Sequence, residues 1–444
     1  MSFSTADYLT AEIPEDWVHH RLKEIADVVP SNVDKLAEAG QPPVLLCNYV
    51  DTYKNEKITQ SLELMAATAT PAQIERLGLR IGDIAITKDS ETPWDIAVPT
   101  LIADDIPSLV CGYHLARISP LKGRMDGGYL AWALRCKPVN LQFALAAQGI
   151  TRYGLSASAL ADGVVPCPPF DQQKVIAAYL DRETARIDAL MQAKTELVDA
   201  LAELGRATAY ELVTKGISPG ASTKDSGVEW LPRVPAHWRV KRNMFLFNQR
   251  REPGYEGLPL LKVSLHTGVT EGDEDDESAP RVRRRMQDKS AYQIVRRGDV
   301  AYNMMRAWQG AIGAVPVDGL VSPAYVVLTP TEDLDPRFFE LLARTASYVK
   351  EFERHSYGIA SFRWRLYWEG FKEILTPVPP IGEQLAIVEA YDRERGRIAA
   401  LREHVERELR LLAELRSATI EDAVLGRLDV SDGTRNSRGT EAVA

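Results

Sequence analysis

The sequence contains a direct repeat, and this duplication constrains the fold more than any other feature. The segment VPCPPFDQQKVIAAYLDRETARIDAL, from Val165, returns as TPVPPIGEQLAIVEAYDRERGRIAAL, from Thr376. Earlier in each copy, GDIAIT from Gly82 is matched by GDVAYN from Gly298, and the Pro-x-x-Trp of IPEDW by that of VPAHW. A period of about 210 residues is too long for a solenoid. We therefore predict a duplicated module, each copy being a globular part followed by a helix.

Heptad-spaced apolar residues after each Pro-Pro pair predict two long helices. The narrow stripe, interrupted by Lys194 and Thr208, favours a coiled coil, and equal length and phase favour pairing of the two helices over two unrelated surface helices. At 1.5 Å per residue, a helix of about 40 residues would be ~60 Å long. The predicted pairing residues are Leu180, Ile187, Leu190, Leu197, Leu201 and Leu204, with Ile398, Leu401, Val405, Leu412 and Leu415 in the second helix.

The globular parts have mixed patterns. Short apolar runs such as SLVCGYHLARI and GLVSPAYVVLTP predict strands, whereas GGYLAWALRCK and PRFFELLARTASYVKEF predict helices. The expected fold class is therefore α/β (mixed α+β), with two tandem domains, each followed by a long helix of an antiparallel pair with pseudo-twofold symmetry. The predicted boundaries are 1–168 for the first domain, 169–215 for its helix, 216–232 for a linker, 233–378 for the second domain, 379–430 for its helix and 431–444 for a flexible tail.

Composition indicates a soluble globular protein, with 45% hydrophobic and 26% charged residues among 444. The sequence has no apolar run of membrane-spanning length and no signal-peptide pattern, so we expect a cytoplasmic protein without membrane contact. The four cysteines stand singly, which indicates neither a disulfide framework nor a zinc ribbon.

The net charge of −9 argues against a nucleic-acid binder, but the charge is unevenly distributed. Residues 271–277 carry six acids, whereas residues 281–306 carry eight bases, mostly arginine, against two acids. The planar arginine fork suits phosphate and guanine recognition. The alternative is a solvated loop that pairs with its acidic neighbour.

The ordered motifs resemble the DNA-specificity (S) subunit of type I restriction–modification systems over nearly the whole chain. The matching pieces are IPEDW, the GDIAIT and GDVAYN pair, MRAWQGAIG, GLVSPAYVVL, the PPFDQQ and PPIGEQ loops and EDAVLGRLDV. Single pieces are weak, but the set, mostly present twice, is specific.

The resemblance implies that each globular part is a target-recognition domain reading one half of a bipartite double-stranded DNA site. It also implies that the helices pair antiparallel and dock methyltransferase (M) subunits, two in number, and through them restriction (R) subunits. Because a ~60 Å helix exceeds one DNA turn of about 34–36 Å, the helices would fix the half-site spacing. The chain would be no enzyme and would bind no cofactor itself; S-adenosylmethionine, ATP and Mg would belong to the partners.

The candidate DNA-contacting residues lie in short polar segments. In the second domain, NMMRAWQG groups amide, guanidinium and indole donors that suit base edges. In the first domain, the segment TKDSETPWD stands at the corresponding position. Its acidic residues would repel phosphates, but a carboxylate can accept a hydrogen bond from N4 of cytosine. Core packing of Trp308 and surface salt bridges are the alternatives. The candidates are Arg281, Arg283, Arg285, Arg297, Asn303, Arg306, Trp308, Gln309, Ser361, Arg363 and Arg365, with Lys88, Ser90, Thr92, Thr151 and Arg152 in the first domain.

Two other functions are compatible with the sequence: a non-catalytic coiled-coil scaffold with duplicated protein-binding domains, and a self-contained DNA methyltransferase. CPPF, from Cys167, is similar to the Pro-Pro-aromatic loop of amino-methyltransferases, but Cys167 replaces the residue that accepts the target amino group. No Gly-rich cofactor loop accompanies it. The sequence also has no GxxxxGK[ST] phosphate loop, so we do not expect ATP-driven translocation, and we predict no catalytic and no metal-binding residue.

Overall fold

The computed structural model describes residues 13–218, 220–265, 267–272, 291–358 and 364–430. The chain divides into two compact units. Unit 1 comprises residues 1–194 with 407–444, and unit 2 comprises residues 195–406. In the described part of the chain, no helix has both the length and the apolarity needed to cross a membrane.

Two long helices match the sequence prediction and confirm the mixed α/β class. The first long helix is Phe170–Lys215 (46 residues) and the second is Ile381–Val424 (44 residues). A glycine in the left-handed conformation follows the C-terminal end of each helix, Gly216 with φ +76° and Gly426 with φ +70°. This backbone conformation stops a helix and is open to glycine at little cost.

The two helices run antiparallel in each unit. In unit 1, Asp188 pairs with Arg416 at 2.7 Å, and Lys194 Nζ lies 2.7 Å from Glu408 Oε2. In unit 2, a Cβ at Gly205 would lie 3.8 Å from the end of the Ile398 side chain. The partner numbers fall as the numbers in the first helix rise, which defines the antiparallel direction.

We call the residues buried between the two long helices the seam. The seam agrees with only part of the predicted set of pairing residues. Leu180, Ile187, Leu201 and Val405 are buried, and Ile398 and Leu412 are half-buried, as predicted. The other five predicted residues are exposed instead, namely Leu190, Leu197, Leu204, Leu401 and Leu415.

The predicted leucines Leu190, Leu197 and Leu204 each follow a residue of the first stripe by three positions, whereas the second buried stripe follows it by four and begins at Thr184. It contains Thr184, Met191, Val198 and Gly205, all buried or half-buried. Positions i+3 and i+4 both lie on the same side of a helix as i, so the pattern of leucines alone did not determine the phase.

The domain of unit 1 contains a five-stranded sheet in the order β2-β10-β6-β8-β4 and a three-stranded sheet in the order β5-β3-β9. Its strands are β1 Val18–Arg21, β2 Ala26–Pro30, β3 Pro43–Cys47, β4 Lys57–Ile58, β5 Met65–Thr68, β6 Ile84–Thr87, β7 Asp89–Ser90, β8 Pro99–Ile102, β9 Leu109–Cys111, β10 Leu115–Pro120, β11 Tyr153–Gly154 and β12 Val164–Cys167. Its helices are Leu22–Ile25, Tyr49–Lys54, Pro71–Leu77, Gly127–Arg135, Lys137–Ala146 and Ala157–Ala161.

The domain of unit 2 contains a four-stranded sheet in the order β16-β23-β20-β21. Its strands are β13 Thr223–Asp225, β14 Arg233–Pro235, β15 Arg239–Arg242, β16 Phe247–Arg250, β17 Leu261–Ser264, β18 Gly268–Glu271, β19 Gln293–Val295, β20 Val300–Asn303, β21 Ile312–Ala314, β22 Gly319–Val321, β23 Tyr325–Pro330 and β24 Leu375–Val378. Its helices are Pro336–Ala343, Ala346–Arg354 and Trp368–Phe371.

The duplication extends to the sheets. The strand order β2-β10-β6-β8 of unit 1 corresponds to β16-β23-β20-β21 of unit 2, and the pair β1-β12 to the pair β15-β24. Between the copies, β13 pairs with β14, and Val228 and Leu231 are buried. The Gly- and Ser-rich composition of residues 216–232 therefore reflects turns around a short hairpin.

A buried glutamine joins each domain to the start of its long helix. Gln173 Nε2 donates to the carbonyls of Pro168 (2.9 Å) and Arg124 (3.1 Å), and its Oε1 accepts from the backbone N–H of Asp126 (2.8 Å). Gln384 makes the same three bonds to Pro379, Asp333 and Asp335. The shared Gln of PPFDQQ and PPIGEQ thus has a structural reason, because it satisfies three backbone groups at once.

Candidate nucleic-acid interface

Strand β20 of unit 2 ends in a tight loop, residues 304–309, which we call tip 2. Asn303 is buried, and its Oδ1 accepts from the backbone N–H of Met305 at 2.9 Å. A 3-10 turn, Ala307–Gln309, follows and ends at Gly310, where φ is +98°. The Asn303 side chain therefore shapes the loop rather than standing at its surface.

Aromatic and basic side chains meet at tip 2. Trp308 Nε1 donates to the Met305 carbonyl at 2.9 Å, and its ring lies 6.0 Å from that of Trp364. The backbone N–H of Leu366 donates to the Met304 carbonyl at 2.9 Å, which fixes the second segment beside the tip. The side chains of Arg306, Gln309 and Arg365 are exposed on these two adjoining segments.

Sequence reasoning missed the aromatic neighbours of tip 2. Tyr357 bridges to Arg365 through the backbone, and its ring lies 5.2 Å from that of Tyr367. Trp364 and these two tyrosines thus lie on the segment that carries Arg365 and adjoins tip 2. The alternation of aromatic and basic residues in FRWRLYW was the available signal, since such interleaving is typical of nucleic-acid contacts.

Strand β6 of unit 1 ends in the corresponding loop, residues 88–95, which we call tip 1. Thr87 Oγ1 accepts from the backbone N–H of Val98 at 2.9 Å, and the 3-10 turn is Pro93–Asp95. Trp94 stands at the centre of this turn, as Trp308 does at the centre of the other, and it is 70% exposed. Thr92 is exposed, whereas Ser90 is buried within the β7-β11 pair and is unsuited to contact a ligand.

A charged cluster lies against tip 1. Asp89 Oδ2 lies 2.9 Å from His114 Nδ1 and 3.4 Å from Lys88 Nζ, and the same Nζ lies 4.8 Å from the Tyr113 ring. Arg152 approaches the His114 ring at 3.3 Å. The structure therefore brings together Lys88 and Arg152, which are far apart in sequence, with Thr151 exposed beside Arg152.

Two tyrosines complete tip 1. The Tyr53 hydroxyl donates to Asp95 Oδ2 at 2.6 Å, and the rings of Tyr49 and Tyr53 stack at 5.6 Å. The hydrogen bond to Asp95 raises the pKa of Tyr53 above its ordinary value, so the phenol stays a donor at neutral pH. Tyr49, Tyr53 and Tyr113 were not predicted, because no local pattern links them to residues 88–95.

Comparison with known proteins reveals relatives of one kind. No family model matches the chain. The putative type I restriction enzyme MjaX specificity subunit of Methanocaldococcus jannaschii is 25% identical over 236 residues, and the match spans 52% of this chain and only 52% of that relative. A chain from a structural study of complex assembly in the type I R-M system superposes with a TM-score of 0.68, at 17% identity, over 94% of this chain and 100% of its own length. The chain has the fold of a type I specificity subunit.

A second solved structure supports this fold. The HsdS subunit from Thermoanaerobacter tengcongensis superposes with a TM-score of 0.55, at 18% identity, over 94% of this chain and 98% of its own length. The resemblance predicted from the paired motifs is thus confirmed at the level of the specificity-subunit fold.

Not all of the predicted DNA-contacting residues lie at the two tips of this specificity-subunit fold. Arg297 lies in the turn before β20, where its backbone N–H donates to Asp318 at 2.7 Å. Tip 2 begins at the other end of β20, about 13 Å away at 3.3 Å per residue. The predicted contacts Arg281, Arg283, Arg285, Ser361 and Arg363 lie outside the described residues, as does the predicted tail.

The site offers recognition groups rather than a nucleophile. Burial raises the pKa of Cys167, beside the Pro-Pro turn, to about 12, so its thiol stays protonated at neutral pH. Among the described residues, no group of three or more His, Cys, Asp or Glu side chains could hold a metal ion. Exposed guanidinium, amide, carboxylate and indole groups at two loop tips can bind phosphates and base edges.

Proposed function

We propose that the chain is the sequence-recognition subunit of a type I restriction–modification complex, with one unit reading each half of a bipartite DNA site. One observation carries the proposal. In the described part of each unit, a strand is followed by a 3-10 turn with a tryptophan at its centre, Trp94 in unit 1 and Trp308 in unit 2, with different side chains around it. A strand and turn that are repeated with different side chains suit the recognition of two half-sites of different sequence.

The chemistry of tip 2 suits purines. The guanidinium of Arg306 can bind O6 and N7 of guanine, and the amide of Gln309 can bind N6 and N7 of adenine. Arg365 in unit 2 and Arg152 in unit 1 provide positive charge for phosphates. Because the whole chain carries a net charge of −9, it binds DNA weakly alone and tightly when partners supply further phosphate contacts.

Exposed leucines on the long helices are the proposed docking sites for the partners. Unit 1 exposes Leu190, Leu411 and Leu415, and unit 2 exposes Leu197, Leu204, Leu385 and Leu401. Exposed leucines on both units suit one amphipathic partner helix per unit, and hence two methyltransferase subunits. S-adenosylmethionine, ATP and Mg then act in the methyltransferase and restriction subunits, and this chain contributes no catalytic residue.

The test is DNA binding by the chain assembled with its methyltransferase. Affinity for a bipartite duplex selected from a random library is expected to exceed that for random duplex by at least about 1,000-fold. Arg306→Gln is expected to weaken selective binding by about 10-fold or more, because one bidentate base contact contributes about 1–3 kcal/mol.

The matched control is Arg186→Gln, which removes an exposed arginine of the first long helix and should leave affinity unchanged. Equal affinity of the assembled wild type for selected and random duplexes would exclude the proposal. Methyl transfer from labelled cofactor by the purified single chain would exclude it as well, in favour of a self-contained methyltransferase.

A further inference from the structure

Both tips contain a 3-10 turn with a tryptophan at its centre, but they differ in the last residue of that turn. Trp94 is followed by Asp95, and Trp308 is followed by Gln309. Tip 1 thus presents a group that only accepts hydrogen bonds, where tip 2 presents an amide that both donates and accepts. This single position changes the class of base edge that each tip can contact.

Asp95 differs from its neighbour Asp89 in its partners. Asp89 is paired with Lys88 and His114. Asp95 is half-buried and holds the Tyr53 hydroxyl on Oδ2, and no Lys or Arg of the described segments lies within ion-pair distance of it. Its carboxylate therefore has no neutralising side chain beside it, and a donor from outside the chain can bind it.

The turn that carries Asp95 is rigidly held. Ala97, two residues on, adopts φ +57°, and Asn140 Nδ2 donates to its carbonyl at 3.0 Å. Tyr53 is itself stacked on Tyr49. A non-glycine residue in the left-handed region persists only when its surroundings impose it, and such strain is typical of ligand-binding loops.

Phosphates would be repelled by Asp95, and in the major groove the hydrogen-bond donors are the exocyclic amino groups of cytosine (N4) and adenine (N6). We propose that Asp95, positioned by Tyr53, reads an exocyclic amino group at one base pair of the first half-site. This inference rests on the proposed function and specifies the base chemistry that unit 1 selects.

The experiment uses the complete chain assembled with its methyltransferase and the bipartite duplex that it selects. At each pair of the first half-site, adenine is replaced by purine, or cytosine by pyrimidin-2-one, so that only the amino group is lost. We expect one position at which the wild type loses about 10-fold in affinity, and the base replaced there tells adenine from cytosine. For Asp95→Asn, which is isosteric and still accepts from Tyr53, the same replacement should change affinity less than about 2-fold.

Tyr53→Phe keeps the stacked ring. When the amino group is removed at the same position, this variant is expected to lose affinity by a factor between those of the wild type and of Asp95→Asn. Asp34→Asn, an exposed aspartate of unit 1 outside the tip, should behave as wild type. Retention by Asp95→Asn of the wild-type sensitivity at every position would overturn the inference while leaving bipartite recognition intact. Absence of any selected bipartite duplex for the wild type would overturn the proposed function, and this inference with it.

Discussion

Gln173 is the residue whose loss should affect the link between domain and helix most directly. Replacement by leucine leaves the carbonyls of Arg124 and Pro168 and the N–H of Asp126 without their partner. Because three backbone groups lose their partner and each costs about 1–3 kcal/mol where it is buried, Gln173→Leu should lower the free energy of unfolding by about 3 kcal/mol or more. Urea denaturation measures this, with Gln172→Leu at the adjacent, half-buried position as control. Equal stability of the two variants would contradict the argument.

Because of its buried cysteines, the stability of the protein should depend on pH in the alkaline range. Burial raises the pKa of Cys47 and of Cys136 from 9.0 to about 12. Because the pKa of each thiol is higher in the folded than in the unfolded protein, the folded state favours the neutral thiol. The contribution of these thiols to the free energy of unfolding is therefore complete below about pH 9 and is lost as pH rises from 9 toward 12.

Urea denaturation between pH 7 and pH 10.5 should accordingly show a free energy of unfolding that falls above pH 9. Cys136→Ala should be less stable at pH 7, because it leaves a small cavity, yet fall less steeply with pH. A slope above pH 9 that is the same in wild type and Cys136→Ala would show that this thiol is not responsible.

At the scale of the helices, a buried and an exposed leucine of the first long helix should respond differently to replacement by alanine. Leu201 is buried in the seam, and Leu204, one turn later, is 52% exposed. Leu201→Ala should lower the free energy of unfolding by about 2–4 kcal/mol. Leu204→Ala should change it by less than about 0.5 kcal/mol but weaken association with the methyltransferase.

Thermal unfolding and a pull-down with the methyltransferase subunit distinguish the two leucines. If Leu204→Ala destabilised the chain as much as Leu201→Ala, the assignment of the seam would be wrong. If it left partner association unchanged, the docking proposal for unit 2 would fail while the seam stood.

The helices were predictable from sequence because heptad spacing is local, but their phase was not. The seam residues Thr184 and Gly205 are neither large nor apolar, while Leu190 and Leu197 are exposed. Lys194, which interrupts the predicted stripe, lies in the seam and pairs with Glu408. Such polar pairs can fix register between helices without adding much stability.

The tips were predictable only in part, for the opposite reason. GDIAIT and GDVAYN marked the strands and the loops that follow them, because these are contiguous in sequence. The groups that complete tip 1 come from distant segments, with Tyr53 bonded to Asp95 across 42 residues and Arg152 beside His114 across 38. Pairings of this kind depend on the tertiary fold, and a single sequence carries no signal for them.

At the scale of the whole molecule, both long helices pass from one unit to the other, and each unit holds one tip. If the units read separate half-sites, the length of the helices should determine the number of base pairs between those half-sites. One heptad keeps the seam in phase and adds about 10 Å to a helix at 1.5 Å per residue. At 3.4 Å per base pair, this corresponds to about 3 base pairs.

Insertion of one heptad after Thr195 and another after Glu406, the borders of unit 2, should therefore lengthen the spacer by about 3 base pairs and leave both half-site sequences unchanged. Sequencing of the methylated sites in cells that carry the variant and its partner subunits measures both quantities. Insertion of five residues at the same places is the control, because five residues rotate the helix face by about 140°, which turns the seam out of phase and should abolish methylation through loss of stability. An unchanged spacer in the heptad variant would show that the helices do not set the distance, and altered half-site sequences would show that the units do not read DNA independently of it.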